Sequence, residues 1–160
     1  MADINVENFY QHVARIFSIL YAAFPTKSPV YVDSIAGIDE PDEYGLHSPT
    51  YTSGFYALIW LGDERMLRHT DTIRQDGIDQ ACLTHKAFLR LSEIAEPIFK
   101  EEEVPAGRVI NINTGESNPV EGVSTSVAEE RKLVINQLRR ALRSGSSIEI
   151  TKVVNYILRE

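Results

Sequence analysis

Cysteine is almost missing. Cys82 is the only one in 160 residues, so no disulfide can close within the chain and no cysteine cluster can hold a metal. Long apolar runs are missing as well. The best stretches, around residues 16–24 and 55–61, are too short and too interrupted to cross a bilayer. The N-terminal residues are acidic and polar, with no basic segment leading into an apolar one, so a cytoplasmic location is the expectation. Motifs of catalysis and cofactor binding are absent too: there is no HExxH, no phosphate loop and no GxGxxG. His12, His47, His69 and His85 fall on separate segments and read as surface or helix-edge residues rather than metal ligands. Asp39, Glu40, Asp42 and Glu43 lack the spacing and closing glutamate of a calcium loop and read as solvated. Cys82 reads as a small buried hydrophobe rather than a reactive thiol. The expectation is a protein without catalytic residues, metal, cofactor, small-molecule ligand or membrane partner.

What is present describes an ordinary globular chain. At 43% hydrophobic and 24% charged residues it can build a core without covalent staples. The net charge is −7, which repels nucleic acid unless cations gather on one face.

Val6, Phe9, Tyr10, Val13, Ile16, Phe17, Leu20 and Phe24 recur at helical spacing, with Asp3 or Asn5 as a cap and Pro25 as a stop. Pro29-Val30-Tyr31-Val32 reads as a short strand, and Asp33 opens a helical turn or two. Residues 38–47 read as an acidic loop broken by Pro41 and Gly45. Ser48 followed by Pro49 marks a helix start, and Tyr51, Phe55, Leu58 and Ile59 form its apolar face. Residues 66–73 and 78–84 flank Asp76-Gly77, a hairpin signal because such a turn needs positive φ. Thr84 opens a further helix with Phe88, Leu91 and Ile94 inward, limited by Pro97.

Helix, strand, short helix, helix, hairpin and helix follow in that order. Residues 60–68 (WLGDERMLR) and 81–91 (ACLTHKAFLRL) resemble the end of the third helix and the start of the post-wing helix in winged helix-turn-helix proteins. Arg65 and Ala87 stand where that family usually has glycine. The resemblance implies a mainly α domain with a small β-hairpin over residues 1–95. An acidic linker or arm, residues 96–125, contains a short strand candidate at 108–113. A C-terminal helical hairpin, residues 126–160, has one helix over 126–143 capped by Ser126 and Glu129. A second is capped by Ser146 and Glu149. That hairpin must pack on the domain or on another chain, and a dimer clasp is one expectation.

The winged helix resemblance implies DNA binding through the helix that begins at Ser48. The charge pattern opposes this. Residues 28–64 hold no lysine or arginine, but carry Asp33, Asp39, Glu40, Asp42, Glu43, Asp63 and Glu64. Such an element cannot gain from counterion release. Thr52, Ser53, Tyr56 and Trp60 on that helix suit a protein surface, either a partner's or a second copy's, although tryptophan is more often core. The alternative is a DNA-binding regulator using Arg65, Arg68, Arg74, Lys86 and Arg90 on the wing and its neighbouring helix, with Arg139 and Arg140 on the first C-terminal helix. Cation runs of this kind are more often simply solvated.

Overall fold

The computed structural model of the chain describes residues 3–99 and 125–160. These form seven helices and a four-stranded antiparallel sheet. The strand candidate at 108–113 lies outside the described residues. No described helix is long and apolar enough to cross a membrane.

α1 (Ile4–Ala23) is the central element. Its stripe of Val13, Ile16, Phe17 and Leu20 is fully or almost fully buried, each such side chain contributing about 1.5–3 kcal/mol of transfer free energy. α3 (Pro49–Asp63) packs against it, as do α6 (Val134–Ser144) and α7 (Ser147–Leu158). The apolar residues of the C-terminal hairpin, among them Leu138, Ile150, Val153, Val154 and Ile157, therefore join one core with α1 inside a single chain. Gly145 closes α6 in the left-handed conformation at φ +70°, and the Ser146 hydroxyl accepts the Glu149 amide at 3.4 Å to start α7.

The sheet is larger than a hairpin. β4 (Gly77–Leu83) is its middle strand. β1 (Ser28–Tyr31) pairs with one side of it, while β2 (Leu67–Arg68) and β3 (Asp71–Ile73) pair with the other. The segment expected as one strand over 66–73 is thus two, interrupted at His69 and Thr70. The register against β1 shifts between Ser28↔Ala81 and Val30↔Ile78, and Gln80 at φ +50° marks the bulge in β4. Positive φ in the hairpin turn falls on Arg74, at +51°, and not on Gly77.

Three further departures have identifiable causes. α4 (His85–Leu91) ends at Ser92, so Ile94 is not on its inner face and is 56% exposed. The helix expected over 126–143 breaks at Leu133 into α5 (Thr125–Lys132) and α6. Leu133 adopts an extended conformation and bridges Ile94, with Ala95 N–H donating to the Lys132 carbonyl at 3.0 Å and Val134 N–H to that of Glu93 at 2.9 Å. Ser126 lies inside α5, one residue past its start, rather than capping it.

Arg65 takes the left-handed geometry that glycine would adopt freely, at φ +58°. Its amide bonds the Gly62 carbonyl and that of Met66 reaches Leu61, with both Met66 and Leu61 buried. This Schellman closure, with Leu61 and Met66 both in the core, holds the arginine in place.

α2 (Asp33–Ala36) is a single turn, and its Ile35 carbonyl is held by Arg15, whose guanidinium donates to it at 2.6 Å.

Candidate functional site

α3 presents two unlike faces because its sequence does. The Ser48 hydroxyl accepts the Tyr51 amide at 3.3 Å, and Pro49 occupies the first turn. Tyr51, Gly54, Phe55, Leu58 and Leu61 are buried. Thr52, Tyr56 and Trp60 point outward with Ser53 half-buried at their border. Tyr56 is 57% exposed and Trp60 38%. Trp60 is held by Phe9 of α1, edge to face with ring centroids 5.1 Å apart, so its ring is fixed while part of it stays in contact with water. Phe9 is a member of this surface that helical periodicity alone would assign to the core. Asp63 and Glu64 lie exposed at the end of the same helix.

At the other end of α3, His47 gathers acid groups. Its Nδ1 lies 3.0 Å from Asp39 Oδ2 and its Nε2 lies 3.5 Å from Asp76 Oδ1. The imidazole stacks on Tyr51 at 4.1 Å, and Tyr51 OH donates to Asp76 Oδ1 at 3.2 Å. Hydrogen bonds from Ser48, followed by the neighbouring His47, hold Asp39 below the usual carboxylate range. Burial, followed by the charge of Asp76, pushes Tyr51 up to about 12. The cluster fastens the acidic loop to the sheet turn. Among the described residues, no group of three or more histidine, cysteine or acidic side chains is placed to hold a metal ion.

The cations expected to form one basic face are divided. Arg65, Arg68, Arg74 and Lys86 are exposed. Arg74, however, sits in a turn whose Asp76 joins the His47 cluster and whose backbone is fastened to the residue after β1 by Val32 N–H donating to Asp76 O at 2.8 Å. Arg90 lies 3.7 Å from Glu93, donates to the Arg159 carbonyl at 3.0 Å and covers the Tyr156 ring. Arg139 lies over Tyr21 and donates to Asn136, and Arg140 donates to the Arg131 carbonyl. These last three serve packing between elements. Cys82 is buried, its thiol directed at the Pro25 carbonyl 3.6 Å away.

His12 departs most from expectation. It is buried, at 2% exposure, with Nδ1 lacking a hydrogen-bond partner. It lies under α3, where a Cβ added at Gly54 would come within 3.8 Å of its ring. Burial, and secondarily Arg15, lowers its pKa from the ordinary 6.5. The unfolded chain therefore binds a proton that the folded one refuses, and stability falls as pH drops below about 6.5 toward the depressed folded value. Asp39 acts in a lower window, its contribution being lost only as pH falls below about 4. His12→Leu should raise stability at neutral pH by about 1 kcal/mol and flatten the decline between about pH 7.5 and 5.5. Denaturant unfolding at both pH values checks this, and an undiminished decline in the variant would remove His12 as its source.

Searches of family models, curated proteins and solved structures returned no match to this chain.

Proposed function

We propose that the chain is a non-enzymatic winged helix protein whose α3 surface binds another protein, with Thr52, Tyr56 and Trp60 as the contact and Ser53 at its edge. The winged helix reading rests on the element order and on β4 lying between β1 and the β2–β3 segment. One observation carries the functional reading. The helix that would read DNA in this fold displays two aromatic side chains within a segment, residues 28–64, that has seven acids and no cation. Exposed tyrosine and tryptophan anchors of limited flexibility are typical of protein interfaces, and phosphate would be repelled here. The complementary partner surface is basic at its rim and apolar at its centre. DNA binding through the wing and C-terminal helix is the weaker reading, because Arg90, Arg139 and Arg140 already support packing within the chain.

Trp60 is the only tryptophan, so its fluorescence reports directly on this surface. With partners purified from the native host, binding should shift Trp60 emission to the blue. Tyr56→Ala should weaken binding by roughly tenfold or more, as removal of a hot-spot side chain does. Partners that bind the wild type and Tyr56→Ala equally, with Trp60 emission unmoved, would rule out this surface. Retention of generic duplex DNA at low salt, abolished by Arg74→Glu, would instead favour the wing.

A further inference from the structure

The loop between α2 and α3 is braced by internal hydrogen bonds, yet it turns its large apolar side chains outward. Asp42 Oδ1 accepts the amides of Tyr44 and Leu46, both at 2.9 Å, and the Asp42 amide returns to the Leu46 carbonyl at 2.9 Å. The base of the loop is fastened by Asp39 to His47 and Ser48. On this closed frame Ile38, Tyr44 and Leu46 are 91%, 79% and 65% exposed. Glu40 and Glu43 flank them and make no hydrogen bond or ion pair among the described residues. A loop whose turn at 42–46 is braced by its own hydrogen bonds has already met part of the ordering cost of binding, so its apolar tip is available as an anchor.

A receptor of matching chemistry exists elsewhere on the same chain. A cleft of about 370 Å³ opens between residues 96–98 and α7, lined by Glu96, Pro97, Ile98, Lys152, Asn155, Tyr156 and Arg159. Its size is in the range that holds a small ligand or a few side chains. Pro97, Ile98 and the Tyr156 ring supply apolar surface. Glu96 is paired with Lys132 at 3.2 Å, whereas the side chains of Lys152 and Arg159 make no ion pair among the described residues. Two free cations and apolar walls in the cleft thus complement two free acids and apolar side chains on the loop. The loop leads into α3 and the cleft lies against α7, each helix packed on α1, and no residue is common to the two surfaces.

We propose that this chain self-associates head to tail, the 38–46 loop of one copy entering the α7 cleft of the next. Tyr44 and Leu46 meet Ile98 and Tyr156, and Glu40 and Glu43 meet Lys152 and Arg159. The contact is heterologous, so assembly proceeds to rings or chains rather than stopping at a two-fold dimer. It uses neither Tyr56 nor Trp60 and is independent of the α3 surface.

Sedimentation of the full-length protein over a range of concentrations tests this. The wild type should form species larger than a monomer by mass action, and raising the salt from about 0.05 to about 1 M should weaken them. The loop variant Tyr44→Ser/Leu46→Ser and the cleft variant Lys152→Glu/Arg159→Glu should each associate at least about tenfold more weakly, whereas Tyr56→Ala should associate like the wild type. The decisive sample is a mixture of the two defective variants. Each keeps the half that the other lacks, so together they should form a heterodimer and nothing larger, which also shows that both are folded. A wild type that is monomeric throughout, association that survives both variants, or a mixture that stays monomeric would each overturn the proposal.

Discussion

Replacing Gly77 by alanine should destabilise the fold by about 3 kcal/mol or more, at the upper end of overpacking costs. Gly77 opens β4 and is paired on both sides, with Tyr31 of β1 and Ile73 of β3. A Cβ at this position would lie 2.3 Å from the Val30 carbonyl oxygen and 3.1 Å from Tyr31 Cα. Both obstacles are backbone, so no side-chain rotation can relieve them. The chain would have to move β1 off β4, losing part of the ladder that ties the segment before α2 to the sheet. Gly145→Ala provides the comparison. Gly145 has φ +70° but open space around its Cα, so that change should cost only about 1 kcal/mol of backbone strain. Urea unfolding of both variants measures the difference. Equal losses would mean that β1 does not press on Gly77.

Gly77 also shows where the sequence reads correctly and where its physical reason is hidden. Asp-Gly between two extended segments locates the turn, but the left-handed residue is Arg74 and the glycine is needed for close approach of β1. Turn chemistry is local and can be read from neighbours. The pairing of Ser28 with Ala81 spans most of the first half of the chain and has no local signature. α1, α3 and α7 were legible because their apolar spacing, the cap serines Ser48 and Ser146, and Pro49 all lie within a few residues of one another. The break at Leu133 was not legible. Leu133, Val134 and Leu138 keep helical register, and only the backbone of residues 93–95, distant in sequence, imposes the interruption.

The candidate site was legible in its charge but less so in its geometry. The lack of cations over residues 28–64 is a property of composition and needs no coordinates. The exposure of Trp60 depends on where Phe9 stops covering it, which periodicity cannot say. His12 follows the same logic in reverse. It stands beside the main stripe of α1, and it is buried because α3 brings Gly54 and α2 brings Ala36 to that flank. The acidic loop reads as solvated from its charges. The exposure of Ile38, Tyr44 and Leu46 goes with a turn that Asp42 and Asp39 brace by accepting the amides of Tyr44, Leu46 and Ser48, a frame that charge pattern alone does not reveal.

Gln137→Leu should be the most damaging change in the C-terminal half, costing about 2–5 kcal/mol from the polar groups it strands. Gln137 is buried, at 1% exposure, in the first turns of α6. Its amide nitrogen donates to the carbonyls of Ala95 at 3.1 Å and Lys132 at 3.0 Å, while its oxygen accepts the Ile98 amide at 2.9 Å. One side chain thereby fastens the segment after α4 to the break between α5 and α6. Leucine fills a similar volume but leaves the Ile98 N–H and the Ala95 C=O without partners. The Lys132 carbonyl keeps the Ala95 amide. Because the missing groups concentrate on residues 95–98, the loss should be local before it is global. Hydrogen exchange at Ile98 should speed up strongly, while Val153 and Val154 in the α1–α7 core change little beyond the drop in overall stability. Gln137→Glu separates shape from hydrogen bonding, since it keeps an acceptor for Ile98 but, when ionised, loses both donated bonds and buries a charge. It should therefore fall at least as far as the leucine variant at neutral pH and recover part of the loss on acidification, as protonation restores one donor. Uniform acceleration of exchange across all the helices in Gln137→Leu would show instead that residues 94–99 and the core unfold as one unit.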